Sequence, residues 1–324
     1  MRTTWNSFGM TTSPYAEAVP RAGEHFDASD VFVGRGRELV EVTAYVHGCL
    51  ESRIAVAGAE GIGKREFVRA LSARLRRDQY WPASEPVLVT PGESPDALIS
   101  RVLAVVSRTI SENGTACTES AAMQETRRAL EEWDPVRELW AFHLMQAQRL
   151  LHDVIRDACA SEARGVILHI TIATRLSSAE NRHVARQIGD LRDSMLMVPG
   201  LHVVLTGSGE AIRHAVSARS QMSSVFRLPL YLEPLSITEV MEMLQRRYEA
   251  AADDPTHPVT APVDPDVVAY LYKSLGGNLR ALLQTLDDVL TRWMDRSGKA
   301  ELNSSATRNA PLSLSEFKKE LAGQ

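Results

Sequence analysis

Gly58, Gly63 and Lys64 carry the spacing G-x-x-x-x-G-K within IAVAGAEGIGKREFV, residues 54–68. That spacing cradles phosphate. Glycines let the backbone curl so that successive N–H groups point inward at an anion. Gly61 and Ile62 belong to the same run of backbone. Lys64 supplies a point charge for the β- and γ-phosphates of a nucleotide. The next residue breaks the pattern. A Ser or Thr hydroxyl there would ligate Mg²⁺, whereas Arg65 is permanently charged and has no acceptor. Turned inward, its guanidinium sits where the metal normally neutralises phosphate. Turned outward, it leaves the metal short of a ligand. Either way ordinary Mg²⁺–ATP binding is weakened, so ATP or ADP is the expected ligand and Mg²⁺ is doubtful.

Hydrolysis also needs one or two acids at the end of a neighbouring apolar strand, one for the metal and one for the attacking water. The candidate is GVILHITIATRLSS, residues 165–178. It offers Thr171 and Thr174 but no Asp or Glu before Glu180. Threonine is no general base at neutral pH. Two independent catalytic elements are therefore missing together.

These residues need a strand before the loop and a helix after it. Residues 53–57, RIAVA, read as a short buried strand, and residues 64–77 read as the helix. PVLVT (86–90), GVILHIT (165–171) and LHVVLTG (201–207) are three more apolar strands. They alternate with helical segments, which predicts an α/β fold: a parallel sheet sandwiched by helices. Trp140, Leu144, Ala147, Leu151, Val154 and Ala158 make a narrow apolar seam on one long helix. Packing against the sheet is the plain reading, and a partner-helix surface is the other. Residues 111–134 are polar and read as a loop or insertion.

A small all-helical lid domain is expected next. Ser236 and Glu239 form a capping box with Leu235 as its staple, and Asp264 with Pro265 opens another helix that Gly276 and Gly277 stop. A further helix spans about 279–293. The expected division is an extended N-terminal arm (1–30), a phosphate-loop α/β domain (31–232), the helical lid (233–295), and a flexible linker with a short terminal helix (296–324), capped by Ser313 and Glu316.

Composition excludes several classes. The chain has 324 residues, 44% hydrophobic and 24% charged, as in an ordinary soluble protein with a sizeable core. A net charge of −5 gives no global attraction to nucleic acid or an anionic membrane. Cys49, Cys117 and Cys159 are far apart and the nine histidines are scattered, so neither a disulfide framework nor a metal cluster is expected. The start, MRTTWNSFGMTTSPY, lacks the apolar region of a signal peptide, and no apolar run suits a membrane helix. A cytoplasmic protein is expected.

The layout from about residue 30 to 292 resembles the AAA+ and related STAND phosphate-loop ATPases, nearest to their origin-recognition, initiator-type branch. FVGRGREL is similar to the box beside the adenine, which makes Arg35 a nucleotide-side contact, with Gly34 and Glu38 also matching. GAEGIGK is similar to Walker A. LHITIATRLS resembles the acid-bearing strand end, with Thr171 and Thr174 at the acid positions. LHVVLTGSGE is similar to the sensor-1 strand, which puts Thr206 near the γ-phosphate. GGNLRALL resembles the sensor-2 motif and makes Arg280 the phosphate-contacting arginine. Arg213, Arg219 and Arg227 are candidates for a finger toward a neighbouring subunit, and the sequence does not choose among them. Relatives of this branch append a winged-helix DNA-binding domain, for which about thirty residues after the lid are too few. The pairs 76–77, 246–247 and 318–319 are too short to replace it.

Three functions stay open. The first is a degenerate nucleotide-binding module that acts as a regulatory or assembly subunit with little or no hydrolysis. The second is an ATPase switch on DNA completed by a partner. The third is a nucleotide-free interaction scaffold. All three imply a protein partner or oligomer. Nucleic acid enters only through an assembly and non-specifically, and no membrane is involved.

Overall fold

Ile54, Ala55, Val56 and Ala57 are all fully buried, as strand residues are when helices cover both faces of a sheet. The computed structural model describes residues 4–16, 31–132, 144–226, 228–254, 256, 259–300 and 311–322. Among them are six strands: β1 (Arg53–Gly58), β2 (Tyr80–Pro82), β3 (Val87–Val89), β4 (Gly165–Ile172), β5 (Leu201–Gly207) and β6 (Leu228–Leu232). Every pairing is parallel, in the order β2-β4-β5-β1-β6, with β3 also on β4. The four expected strands are present. β2 and β6 were not expected. β2 has only three residues, and β6 carries Pro229, which an edge strand tolerates.

The chain divides into two compact units. The α/β unit, Gly36–Glu60 with Lys64–Leu232, holds the sheet and the helices α1 (Gly36–His47), α2 (Lys64–Arg77), α3 (Pro95–Asn113), α4 (Ala121–Glu132), α5 (Leu144–Ser161), α6 (Ser178–Asp190), α7 (Gly209–Ser217) and α8 (Met222–Val225). Ala55, Ala57, Val166, Leu168, Val203 and Leu205 share one buried cluster with residues of α3 to α8. Ile54, Val56, Ile167 and Val204 alternate with them and are buried on the opposite face. There α2 lies along β1 and β5 and buries Phe67 and Leu71.

The helical seam packs inward. Ala147, Leu151, Val154 and Ala158 are fully buried in the α/β cluster, so they offer no partner surface, and Trp140 lies outside the described residues. The loop expected over 111–134 contains the helix α4. Its core side is Met123, Thr126 and Ala129 with Ala122 and Leu130 partly buried beside them, a narrow stripe among many charged residues that hides the helical period.

His202 is buried at the amino end of β5. Its Nδ1 lies 2.9 Å from Ser52 Oγ, and its Nε2 has no partner among the described residues. A Cβ at residue 165 would sit 2.6 Å from that Nε2, so β4 must start with glycine. Burial first, then Arg53 and His47, pushes the imidazole down to about 3.

The helical unit, Met1–Arg35 with Gly61–Gly63 and Glu233–Gln324, contains α9 (Ile237–Ala251), α10 (Pro265–Ser274), α11 (Leu279–Ala300) and α12 (Leu314–Ala322). The boxes Ser236–Glu239 and Ser313–Glu316 form, and Asp264 caps α10 through Asp266 N at 2.9 Å. α11 runs on to Ala300, into the segment expected to be a linker; residues 301–310 are outside the described set. Residues 4–16, expected as part of an extended arm, are docked instead. Thr4–Phe8 is a 3-10 helix, and Trp5, Phe8, Met10 and Tyr15 join the core of Val240, Leu286, Leu290 and Phe317. Tyr15 and Tyr248 hydroxyls meet at 2.9 Å, and Arg247 Nε donates to Pro14 O at 2.6 Å. Four large apolar side chains outweigh the polar residues around them. Among the described residues no helix is long and apolar enough to cross a membrane.

Trp5→Ala should destabilise the helical unit by about 3 kcal/mol or more, as aromatic truncation in a core does. Denaturant melts of the full chain should show this as an earlier transition; a change within error would mean the arm only rests on the surface. His202 gives a second test. Its folded value lies below its unfolded one, so the unfolded chain binds the extra proton as pH falls below the ordinary 6.5. Stability is intact above that value and declines toward pH 3. Between pH 7 and 5 His202 accounts for a loss of about 2 kcal/mol. His202→Gln should flatten the stability–pH curve by that amount, and an unchanged slope would contradict the assignment.

Candidate functional site

Parallel pairing puts the carboxyl ends of β1, β5 and β4 on one edge of the α/β unit. Val56 pairs with Thr206, and Thr206 pairs with Thr171. The loop after β1 starts at that edge. Gly58 ends β1, and Lys64 begins α2. Lys64 Nζ donates to Gly58 O at 2.8 Å and to Ala59 O at 2.7 Å, which folds the side chain back over the loop mouth. Arg65, one residue on, is exposed. Glu60, inside the loop, faces Arg175 of the segment after β4, with Nε–Oε2 at 3.2 Å. Arg175 has φ 62, a left-handed conformation uncommon outside glycine.

Thr171 and Thr206, singled out separately in the sequence, are in contact. Thr206 Oγ1 donates to Thr171 Oγ1 at 3.0 Å and lies 2.9 Å from His169 Nε2. With its one proton spent on Thr171, Thr206 accepts from His169, whose Nε2 then carries the hydrogen. His169 is held neutral: burial, then Arg65 and Arg69, push it down to about 4. The sequence reading passed over His169. It is two residues before Thr171 in a strand, so the two-residue period places both on the face that α2 covers. Thr174, beyond the strand, is exposed and outside this chain of bonds.

The helical unit holds the rest. Arg35 is buried, with φ 55, and its Nη2 donates to Ile62 O at 3.2 Å and Glu233 O at 2.8 Å. Gly61 O accepts from the N–H groups of Leu279 at 3.1 Å and Arg280 at 3.3 Å. These are orphan donors of the first turn of α11, so a loop carbonyl caps the helix. Asn278 Oδ1 caps it further by accepting from Ala281 N at 3.0 Å. Gly61 has φ 74, and a Cβ there would fall 1.8 Å from Asn278 Oδ1. Only glycine fits, for two separate reasons. Gly63 has φ 96. The Arg280 side chain is exposed. Asn278 was legible only as part of the Gly-Gly-Asn run; its contact with Gly61 had no sequence signal. Arg213 is exposed, Arg219 pairs with Asp190, and Arg227 lies outside the described residues.

A Mg²⁺ ion of the kind phosphate-loop enzymes use needs oxygen ligands. The residues here do not fit it. Arg65 has no acceptor, and Thr171 is committed to Thr206. Glu180 is tied into the capping box of α6 with Ser177, and Glu210 accepts from Ser178. Among the described residues no three His, Cys, Asp or Glu side chains cluster as a metal site.

No family model matches the chain, and no curated protein matches it in sequence. Solved structures do match its fold. One is the Aeropyrum pernix ORC1 protein in complex with DNA, 14% identical, covering 91% of this chain and 66% of that one, with a TM-score of 0.53. Another is the ADP form of the Aeropyrum pernix ORC2 protein, 13% identical, covering 95% and 71%, with a TM-score of 0.54. A third is CDC6P from Pyrobaculum aerophilum, 14% identical, covering 88% and 66%, with a TM-score of 0.50. This chain therefore spans about two thirds of those proteins. It has the fold of the origin-recognition and Cdc6-like AAA+ ATPases.

Proposed function

We propose that this chain binds an adenine nucleotide, turns it over little or not at all, and acts as a regulatory or assembly subunit. The observation that carries the reading is the carboxyl edge of the sheet. The phosphate loop is kept, with Gly58, Gly61, Gly63 and Lys64 in place, while the strand end beside it presents hydroxyls and a neutral imidazole. Backbone N–H groups and the Lys64 ammonium bind and orient phosphate oxygens. Arg280 adds a second cation by likeness to the sensor-2 motif, while Thr206, which matches sensor 1 by likeness, is buried and bonded to Thr171 and His169. Thr171 and Thr206 lack the basicity to take a proton from water, and His169 already points its Nε2 hydrogen at Thr206. Phosphoryl transfer depends on charge stabilisation and a positioned base, so their loss removes several powers of ten in rate.

The solved ADP form of the ORC2 neighbour supports an adenine nucleotide as ligand. The ORC1 neighbour was solved with DNA. For this chain we assign DNA contact only to an assembled form and without sequence reading, because its net charge is −5. We place it in the cytoplasm, with a protein partner or further copies of itself.

Calorimetry with ADP and ATP tests the reading. Saturable binding should weaken about tenfold or more in Lys64→Ala, as loss of a charge-assisted contact implies. Multiple turnovers of ATP that vanish in Lys64→Ala would refute the non-hydrolysing role.

A further inference from the structure

We infer that nucleotide binding by this chain needs no divalent cation, because the Arg65 guanidinium takes the place of the metal. The inference rests on the nucleotide-binding reading above and adds how the phosphate charge is met. In a phosphate loop the residue after the lysine is the metal's protein ligand, one helical residue from the phosphate-binding N–H groups. Arg65 holds that position as the second residue of α2. A guanidinium there brings its own positive charge to the phosphates and donates in a planar fork suited to phosphate oxygens. It also repels a dication from the same spot.

The surroundings agree. Arg65 and Arg69 are four residues apart, so they share one face of α2. Burial first, and then the charges of Arg65 and Arg69, hold the His169 imidazole of β4 below its ordinary range. Lys64, Arg65 and Arg69 thus gather positive charge at the amino end of a helix, where the dipole already disfavours cations and favours anions. The nearby carboxylates are engaged elsewhere. Glu66 pairs with Arg69 at 2.8 Å, Glu60 with Arg175 at 3.2 Å, and Glu180 is held in the α6 capping box. The oxygens that do face this edge, on Thr171 and Thr206, are neutral and bonded to each other. Three groups that would hold a metal are therefore missing among the described residues: a hydroxyl after the lysine, an acid at the strand end, and a carboxylate beside the loop that is not already paired.

The test is calorimetry of the full chain with ADP and with ATP, once in EDTA and once in excess Mg²⁺. The wild-type dissociation constants should agree within about threefold between the two buffers. Arg65→Ser, at an exposed position, should lose about tenfold or more in EDTA and regain part of it when Mg²⁺ is added. Wild-type affinity that climbs tenfold or more with Mg²⁺ overturns the inference and leaves nucleotide binding standing. So does an Arg65→Ser protein that binds as tightly as wild type in EDTA. No binding in either buffer removes both this inference and the reading beneath it.

Discussion

In-register parallel pairing sets Val56 beside Thr206 and Thr206 beside Thr171 across three adjacent strands. Parallel strands end on the same edge, so the loop after β1 and the last residues of β4 and β5 meet without any further device. Burial on both faces then fixes what those residues do. On the α2 side of the sheet Thr206 is buried and needs a partner inside the protein, and His169 and Thr171 beside it are half-buried. His169, Thr206 and Thr171 find one another. The end of β4 beside the loop thus presents neutral groups.

The proton count of that chain has a consequence. Three groups share two bonds, and an imidazole with its hydrogen on Nε2 satisfies both. Protonation would bring a third charge near Arg65 and Arg69 in a buried place, which is why His169 titrates far below its usual range. A carboxylate at residue 171 would have been stabilised by the same arginines. The arginines and the neutral hydroxyls therefore belong to one arrangement at the edge of the sheet.

Much of this was legible because the signals are local. Strands β1, β4 and β5 are continuous apolar runs, and the capping boxes at Ser236 and Ser313 are short-range chemistry. The loop after β1 is legible through its spacing together with the strand before it and the helix after it. What stayed hidden depends on tertiary packing. β2 is too short to carry a period, and the proline of β6 argues against a strand until its edge position is known. α4 buries a single thin stripe. The residues from Trp5 to Tyr15 look like a polar tail, yet their four large side chains meet a core formed by residues more than two hundred positions away. In the site, the resemblance of FVGRGREL to the family's box implies a nucleotide contact for Arg35, and packing adds bonds from its side chain to two backbone carbonyls.

Gly61 shows how far one residue can be over-determined. Its positive φ suits a curled loop, its carbonyl caps the first turn of α11, and its missing Cβ leaves room for Asn278. Each role alone selects glycine or tolerates it; together they admit nothing else. The loop is thus maintained by the packing of the helical unit as well as by any demand of a ligand. That separates two kinds of evidence in the same seven residues. The glycines report a conformation that the fold itself requires, so their presence says little about chemistry. The cations that follow them stand at the amino end of a helix, where charge of their sign is disfavoured, and Lys64 also ties the loop by donating to Gly58 O and Ala59 O. Lys64 and Arg65, more than the glycines that led to them, are the residues on which we rest the proposed anion site.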